Sequence, residues 1–204
     1  MRLRLFVFPV LAVSIIAVVV PAAAQVDAAY QKDSLDLNVG VGGSGYNPDW
    51  GHGRMYGEAI WADWYSRRMP RLLDGLGLEI EARDISHDRH LPPQLNLRQD
   101  TAGGGAIYAW RHFRNFHPYA KYLISFGSYD FSPVEVGPNK FYSHDTRTLY
   151  APGAGLEFRV YHPLWLRVDY EYQTWQKLLG ATPDPQGFTV GVAYSFAYGY
   201  HSKR

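Results

Sequence analysis

The sequence predicts an all-β fold, an eight-stranded antiparallel up-and-down β-barrel that crosses a membrane. Three observations predict it. Apolar residues recur with period two along most of the chain, turn-forming residues punctuate those runs, and an apolar leader marks the chain for export. The composition agrees: of 204 residues 47% are hydrophobic and 16% aromatic, with 16 Tyr, 6 Trp and 20 Gly, a load that excludes disorder and favours strands. Cysteine is absent, which excludes a disulfide framework, a thiolate metal site, a Cys nucleophile and a Cys-anchored lipoprotein. The 20 basic and 19 acidic residues leave a formal charge of +1, and losing Arg2 and Arg4 with the leader turns it into −1. That balance gives no electrostatic basis for binding nucleic acid.

The leader comes first. Arg2 and Arg4 form a basic start, Leu5 to Val20 is apolar apart from Pro9 and Ser14, and Ala22-Ala23-Ala24 supplies an A-x-A cleavage site before Gln25. We expect residues 1–24 to be a signal peptide, with Ala22 and Ala24 at the cleavage positions, and residues 25–33 a short lead-in. The barrel is expected over residues 34–196, and residues 197–204 as a C-terminal extension or tail. No mature segment approaches the roughly 18 apolar residues of a membrane-spanning helix.

The strands follow in order. Leu35, Leu37, Val39 and Val41 alternate with Asp36, Asn38, Gly40 and Gly42. Met55 to Ser66 is extended, but its two faces do not separate. Leu76, Leu78, Ile80 and Ala82 alternate with Gly77, Glu79, Glu81 and Arg83, and a second run of unseparated faces covers Ala102 to Phe113. Tyr122, Ile124 and Phe126 oppose Lys121, Leu123 and Ser125; Ala154, Leu156, Phe158 and Val160 oppose Gly153, Gly155, Glu157 and Arg159. Leu164, Leu166, Val168, Tyr170 and Tyr172 then oppose Trp165, Arg167, Asp169, Glu171 and Gln173, and Phe188 to Phe196 closes the series. Between them, Ser86 to Asp100, Ser128 to Thr146 and Lys177 to Gln186 read as long loops, whereas Arg114-Asn115 and Tyr161-His162-Pro163 read as tight turns. Long external loops alternating with short turns suit a transmembrane barrel.

Alternation also suits a soluble periplasmic barrel or sandwich, so the content of the faces decides. Tyr172, Trp175, Trp64, Trp110, Tyr194 and Phe196 place aromatic groups near strand ends, as interfacial girdles require. The opposite face carries charges of both signs. We expect Glu79, Glu81, Arg83, Lys121, Glu157, Arg159, Arg167, Asp169 and Glu171 to line the lumen and neutralise one another, because buried charges must be paired.

Other motifs weigh less. Gly40 to Gly45 fits G-x-G-x-x-G, but a turn follows instead of the helix that would hold a pyrophosphate. His87-Asp88-Arg89-His90 has two imidazoles in a polar loop segment, a weak metal signal. Tyr142-Ser143-His144-Asp145 contains the residue types of an acyl-transfer triad, but consecutive side chains point apart. No catalytic, metal or cofactor residues are assigned.

The last strand carries a resemblance. Thr189-Val190-Gly191-Val192-Ala193-Tyr194-Ser195-Phe196 is similar to the terminal strand of small eight-stranded outer-membrane barrels, the OmpA-like and OmpX-like family, and the strand pattern resembles that family from about Ser34 onward. The resemblance implies that Thr189, Gly191, Tyr194 and Phe196 form an assembly signal read by the barrel-assembly machinery. It also implies a place in the bacterial outer membrane among lipid and lipopolysaccharide, and a structural or surface-interaction role through external loops with an unknown loop ligand. A lipid A-modifying enzyme (acyl transferase or deacylase) and a narrow pore are the alternatives. The family's last strand usually stops at its final aromatic, whereas this chain continues through Ala197-Tyr198-Gly199-Tyr200 to Arg204. Either the strand is longer or a tail follows it.

Overall fold

Period-two alternation sends successive side chains to opposite faces, and a ring of strands turns those faces into an inside and an outside. The computed structural model describes residues 36–49, 53–65, 70, 73–87, 97–113, 115–137, 140–161, 163–178 and 182–196. Its strands are β1 (Asp36–Asn47), β2 (Met55–Tyr65), β3 (Leu76–His87), β4 (Arg98–Ala109), β5 (Phe116–Gly137), β6 (Lys140–Tyr161), β7 (Leu164–Tyr172), β8 (Thr174–Trp175) and β9 (Gln186–Ser195). β7 and β8 are two lengths of one stave, both paired with β6 and parted at Gln173, so the nine strands make eight staves. All pairings are antiparallel, and β1 closes the ring by pairing with both β2 and β9. Closure leaves no row of unpaired backbone groups, which is the condition for a sheet in hydrocarbon.

The ladder fixes the tilt. From Gly43 one way round it passes Glu58, Asp84, Asp100 and Ser128 to reach Thr146 on β6. The other way it passes Val190 and Val168 to reach Leu156, so the ring closes 10 residues out of step. A stagger of this kind goes with strands tilted by roughly 35–45°. All these residues share the outward parity, and one arm of the path is polar while the other is aliphatic. The outer surface therefore passes from an apolar band into a polar one along the spiral.

The faces follow the alternation. Leu78 and Ile80 are 55% and 64% exposed on the outside, while Glu79 and Arg83 are 1% and 3% exposed inside. The interior is layered. Near the long connections lie Tyr46, Met55, Ile85, Tyr129, Leu149 and Trp175; the middle is ionic; and the opposite end is filled by Tyr65, Ile107 and Ala109 with Trp61 and Trp165. At the seam, a Cβ on Gly191 would collide with Val41 O, Gly42 Cα and the Trp61 ring, so only glycine lets β9 approach β1 here.

Four sequence expectations are corrected. The faces of β2 separate: Ala59, Trp61, Asp63 and Tyr65 are buried while Tyr56, Ile60 and Trp64 are exposed. They looked alike because both carry aromatics. The run placed at Ala102 to Phe113 is strand over Arg98–Ala109, and Trp110 already belongs to the turn, its N–H donating to Pro118 O (2.7 Å). The segment from Ser128 to Thr146 is no loop. β5 and β6 continue through it, with register irregularities between Asp130 and Val134 and between Glu135 and Gly137, to a last pair at Gly137 and Lys140. Trp175 lies fully inside, not in a girdle, because the alternation carries on through Gln173.

The parity makes a sharp test. Val168→Arg puts a guanidinium on the lipid face at a cost of about 2–4 kcal/mol near the midplane and should block insertion into vesicles. Asp169→Asn, one residue away, should leave a barrel with heat-modifiable gel migration. The reverse pattern would invert the two faces.

Candidate functional site

The barrel closes around a buried ionic cluster built from four staves. Lys121 of β5 is its centre. Its Nζ lies 3.1 Å from Glu79 Oε1, 2.8 Å from Glu81 Oε2, 2.6 Å from Asp169 Oδ2 and 3.1 Å from Glu171 Oε2. Towards the short turns, Arg167 donates to Tyr119 OH (2.7 Å), Asp63 Oδ2 (3.1 Å) and Glu79 Oε2 (2.7 Å). Its guanidinium also lies over the rings of Trp61 and Tyr119, at 4.9 and 4.5 Å from their centroids. Towards the long connections, Arg83 pairs with Glu81 Oε1 (2.5 Å) and Glu171 Oε1 (2.7 Å) and covers the Tyr46 ring. Each cation thus bridges staves across the lumen, and charge-assisted bonds of these lengths are the strong kind.

Carboxylates outnumber cations in this layer, and neutral donors meet part of the difference. Tyr119 OH donates to Asp169 Oδ1 (2.8 Å), Tyr46 OH to Glu171 Oε1 (3.2 Å) and Gln173 Nε2 to the same oxygen (2.9 Å). A chain of amides continues upward: Gln99 Nε2 donates to Gln173 Oε1 (2.7 Å) and Tyr129 OH to Gln99 Oε1 (2.6 Å). Oxygens of Glu81, Asp169 and Glu171 lie within 4.8 Å of one another, a grouping that would suit a metal ion. The Lys121 ammonium stands within 3.1 Å of all three and supplies the positive charge itself.

Two of the charged residues proposed from sequence stand apart. Glu157 is buried and lies opposite Arg167 in the ladder, but its Oε1 has no hydrogen-bond partner. Arg159 leaves the ionic layer and covers the Trp165 ring at 4.8 Å, on which His117 also stacks at 4.5 Å. Below them Arg111 pairs with Asp36 and covers the Tyr65 ring. Asp63, Tyr119, Gln99 and Gln173 were not singled out from the sequence as network members. The parity of β7 and of the Lys121 run already pointed Gln173 and Tyr119 inward, whereas Asp63 was hidden by the two aromatic faces of β2.

On the last strand, Thr189 Oγ1 and Ser44 Oγ hydrogen-bond inside the barrel at 2.7 Å. Tyr194 faces outward with its ring 4.7 Å from that of Phe196, and the Phe196 N–H donates to Leu37 O (2.8 Å). The ladder to β1 therefore reaches Phe196. Ala22, Ala24, the leader, the lead-in and residues 197–204 lie outside the described residues. So do Asp88, Arg89 and His90, while His87 is buried inside. The glycines from Gly40 to Gly45 all lie within β1. The Tyr142-Ser143-His144-Asp145 motif resolves differently from its sequence order. Asp145 is buried, whereas His144 Nδ1 lies 2.5 Å from Asp130 Oδ1 across the β5–β6 arm and its Nε2 3.0 Å from Thr146 Oγ1.

A closed ring of eight staves, apolar outside and ion-paired inside, defines a small integral membrane barrel. The outer membrane protein β-barrel domain family matches residues 10–196, and the chain belongs to that family. Its fold is similar to that of neisserial surface protein A (15% identity, TM-score 0.57, covering 79% of this chain and 97% of that one). It is also similar to Ail, the attachment invasion locus protein of Yersinia pestis (16%, 0.53, 80% and 99%), and to OprG of Pseudomonas aeruginosa (11%, 0.55, 81% and 97%). No curated protein matches the chain.

Removing the central cation tests the cluster. Lys121→Met leaves four carboxylates facing a buried methyl group and should cost about 3–5 kcal/mol, read as a lower urea midpoint for the vesicle-inserted barrel. Adding Glu81→Gln should recover part of it. An unchanged midpoint in the single variant would show that the cluster contributes no stability.

Proposed function

We propose that the chain is exported with a signal peptide cleaved after Ala24 and assembles in the bacterial outer membrane as a sealed barrel over residues 34–196. Its terminal strand is read by the assembly machinery at Thr189, Gly191, Tyr194 and Phe196. It serves a structural or surface-interaction role through its external loops and carries out no catalysis. One observation carries this reading: the lumen is filled by ion pairs between two apolar layers, while the β5–β6 arm runs on beyond the polar boundary at Ser128 and Thr146. An eight-stave interior is just wide enough for side chains to fill, which argues against a standing pore. On the arm, the exposed Asp130 and His144 offer polar groups to a ligand. Ail, one of the structural neighbours, has been solved with the heparin analogue sucrose octasulfate, which supports a search among polyanionic ligands at the loop end.

Planar-bilayer recording tests the seal. The wild-type barrel should give no steady conductance, and a lasting ohmic current would favour the pore. An epitope inserted between Gly137 and Lys140 should be reached by antibody on intact cells, which places the arm outside; labelling only after lysis would place it in the periplasm.

Asp130, His144 and Thr146 favour a second reading. A hydroxyl, an imidazole and a carboxylate in hydrogen-bond contact are the elements of an activated nucleophile, here beside the apolar band, where they suit acyl-ester hydrolysis of lipid A. The carboxylate and imidazole are about half exposed, as a solvated pair is, so the non-catalytic reading stands first. Lipid A from expressing cells should keep its mass. A deacylated species that vanishes with Thr146→Ala would put the enzyme in its place.

A further inference from the structure

The outward row of β1 loses its side chains in one place. Leu37, Val39 and Val41 present aliphatic groups to the outside, and the next two outward positions are Gly43 and Gly45. The gap is a groove of about 730 Å³, within the roughly 300–1,000 Å³ of small-molecule sites. One wall is Tyr56 of β2; the other is Phe188 and Val190 of β9 with Tyr170 of β7, whose ring is 5.0 Å from that of Phe188. Three polar groups stand at its loop end: Asn47, Gln186 and Arg54. Tyr170 OH donates to Gln186 Oε1 (2.6 Å), which fixes the rim.

Packing accounts for Gly45, where an added Cβ would press on the Tyr56 ring at 3.3 Å, but not for Gly43. At Gly191 an added Cβ would strike the neighbouring backbone, but at Gly43 it would meet only Gly57 O, at 4.0 Å. The backbone there is not in the left-handed region that demands glycine. The fold would accept a side chain at Gly43, and the sequence leaves the space to something outside the protein.

We propose that this groove holds one acyl chain of a phosphorylated outer-leaflet glycolipid, lipid A in chemical class, with its phosphate on Arg54. The proposal rests on the outer-membrane reading above. The walls are aromatic and aliphatic, as an acyl chain requires. The groove lies where the outer surface turns from the aliphatic Val190 and Val41 to the polar Asn47, the change of polarity that acyl chains and headgroups also show. Arg54 is exposed and forms no ion pair with any described residue, and guanidinium is the side chain best matched to a phosphate. The Asn47 and Gln186 amides both donate and accept, which suits the sugar hydroxyls of a glycolipid better than a plain glycerol phosphate. Glu58 stands across the ladder from Gly43 but does not line the groove.

The test is native mass spectrometry of the full barrel released from vesicles containing lipid A and phosphatidylglycerol in equal amounts, with heat-modifiable migration checked first. A chain that never inserts fails the membrane reading, not the groove. For the inserted wild type, one retained lipid A per barrel is expected. Gly43→Leu, which fills the groove, should reduce retention at least tenfold, and Arg54→Gln severalfold. Gly43→Ala controls for the loss of glycine and should retain most of it. Phosphatidylglycerol retained as well as lipid A would overturn the proposal, as would lipid A held equally by Arg54→Gln and wild type. Arg54 lies outside the strands, so that second variant keeps the test decisive even where Gly43→Leu does not fold.

Discussion

Lys121 Nζ touches carboxylates from β3 on one side and β7 on the other, and much of the architecture depends on that contact. β3 and β7 are never neighbours in the ladder; β4, β5 and β6 lie between them on one side and β2, β1 and β9 on the other. Backbone hydrogen bonds hold each stave to its neighbours but set nothing across the lumen. Arg167 reaches in the same way from β7 to Asp63 of β2 and Glu79 of β3, and Arg83 from β3 to Glu171 of β7. These three cations brace the cylinder across its width, and the apolar layers on either side keep water from the braces.

The strands richest in charge were the most legible in the sequence. From Leu76 to Arg83 on β3 and from Leu166 to Tyr172 on β7, polar or glycine residues alternate with apolar ones, so the lipid and lumen faces could be assigned from the sequence there. β2 was illegible for a physical reason. Its inner face fills an apolar layer with Trp61 and Tyr65, its outer face meets lipid with Trp64 and Ile60, and Asp63 is the one charged residue on the inner face. Period two is a contrast signal, and it vanishes where both surroundings are apolar.

The β5–β6 arm was hidden by the opposite effect. Beyond Ser128 and Thr146 the outward positions include the exposed Asp130 and His144, so polar residues occur on the outer face as well, and Ser, Pro, Asp and Gly read as loop. Ladder hydrogen bonds persist there regardless, and the register irregularity after Asp130 absorbs Pro133, which cannot donate. Contacts between side chains were beyond reach for another reason. Asp130 and His144 meet only because the arm pairs them directly, and no spacing within the motif around His144 encodes a partner 14 residues away.

An ionic interior is not the most stable filling for a small barrel, since well-packed apolar groups of similar volume often equal or exceed a buried ion network. What such a filling would lose is the difference between the faces. With aliphatic residues at Glu79, Lys121, Arg167 and Asp169, β3, β5 and β7 would join β2 in having two apolar faces, and a strand slipped by one residue would present an equally acceptable surface to lipid. With charges in those positions the same slip carries them into hydrocarbon, while Leu78, Ile80 and Val168 gain nothing by moving inward. The 10-residue stagger of the ring is the sum of eight pairwise registers, so one ambiguous strand would be enough to misclose it. β2 is the weak member by this measure, and it lies between two well-marked neighbours. Its own Asp63 is the residue that Arg167 reaches across the lumen to hold. The ion pairs are therefore best understood as the device that fixes register.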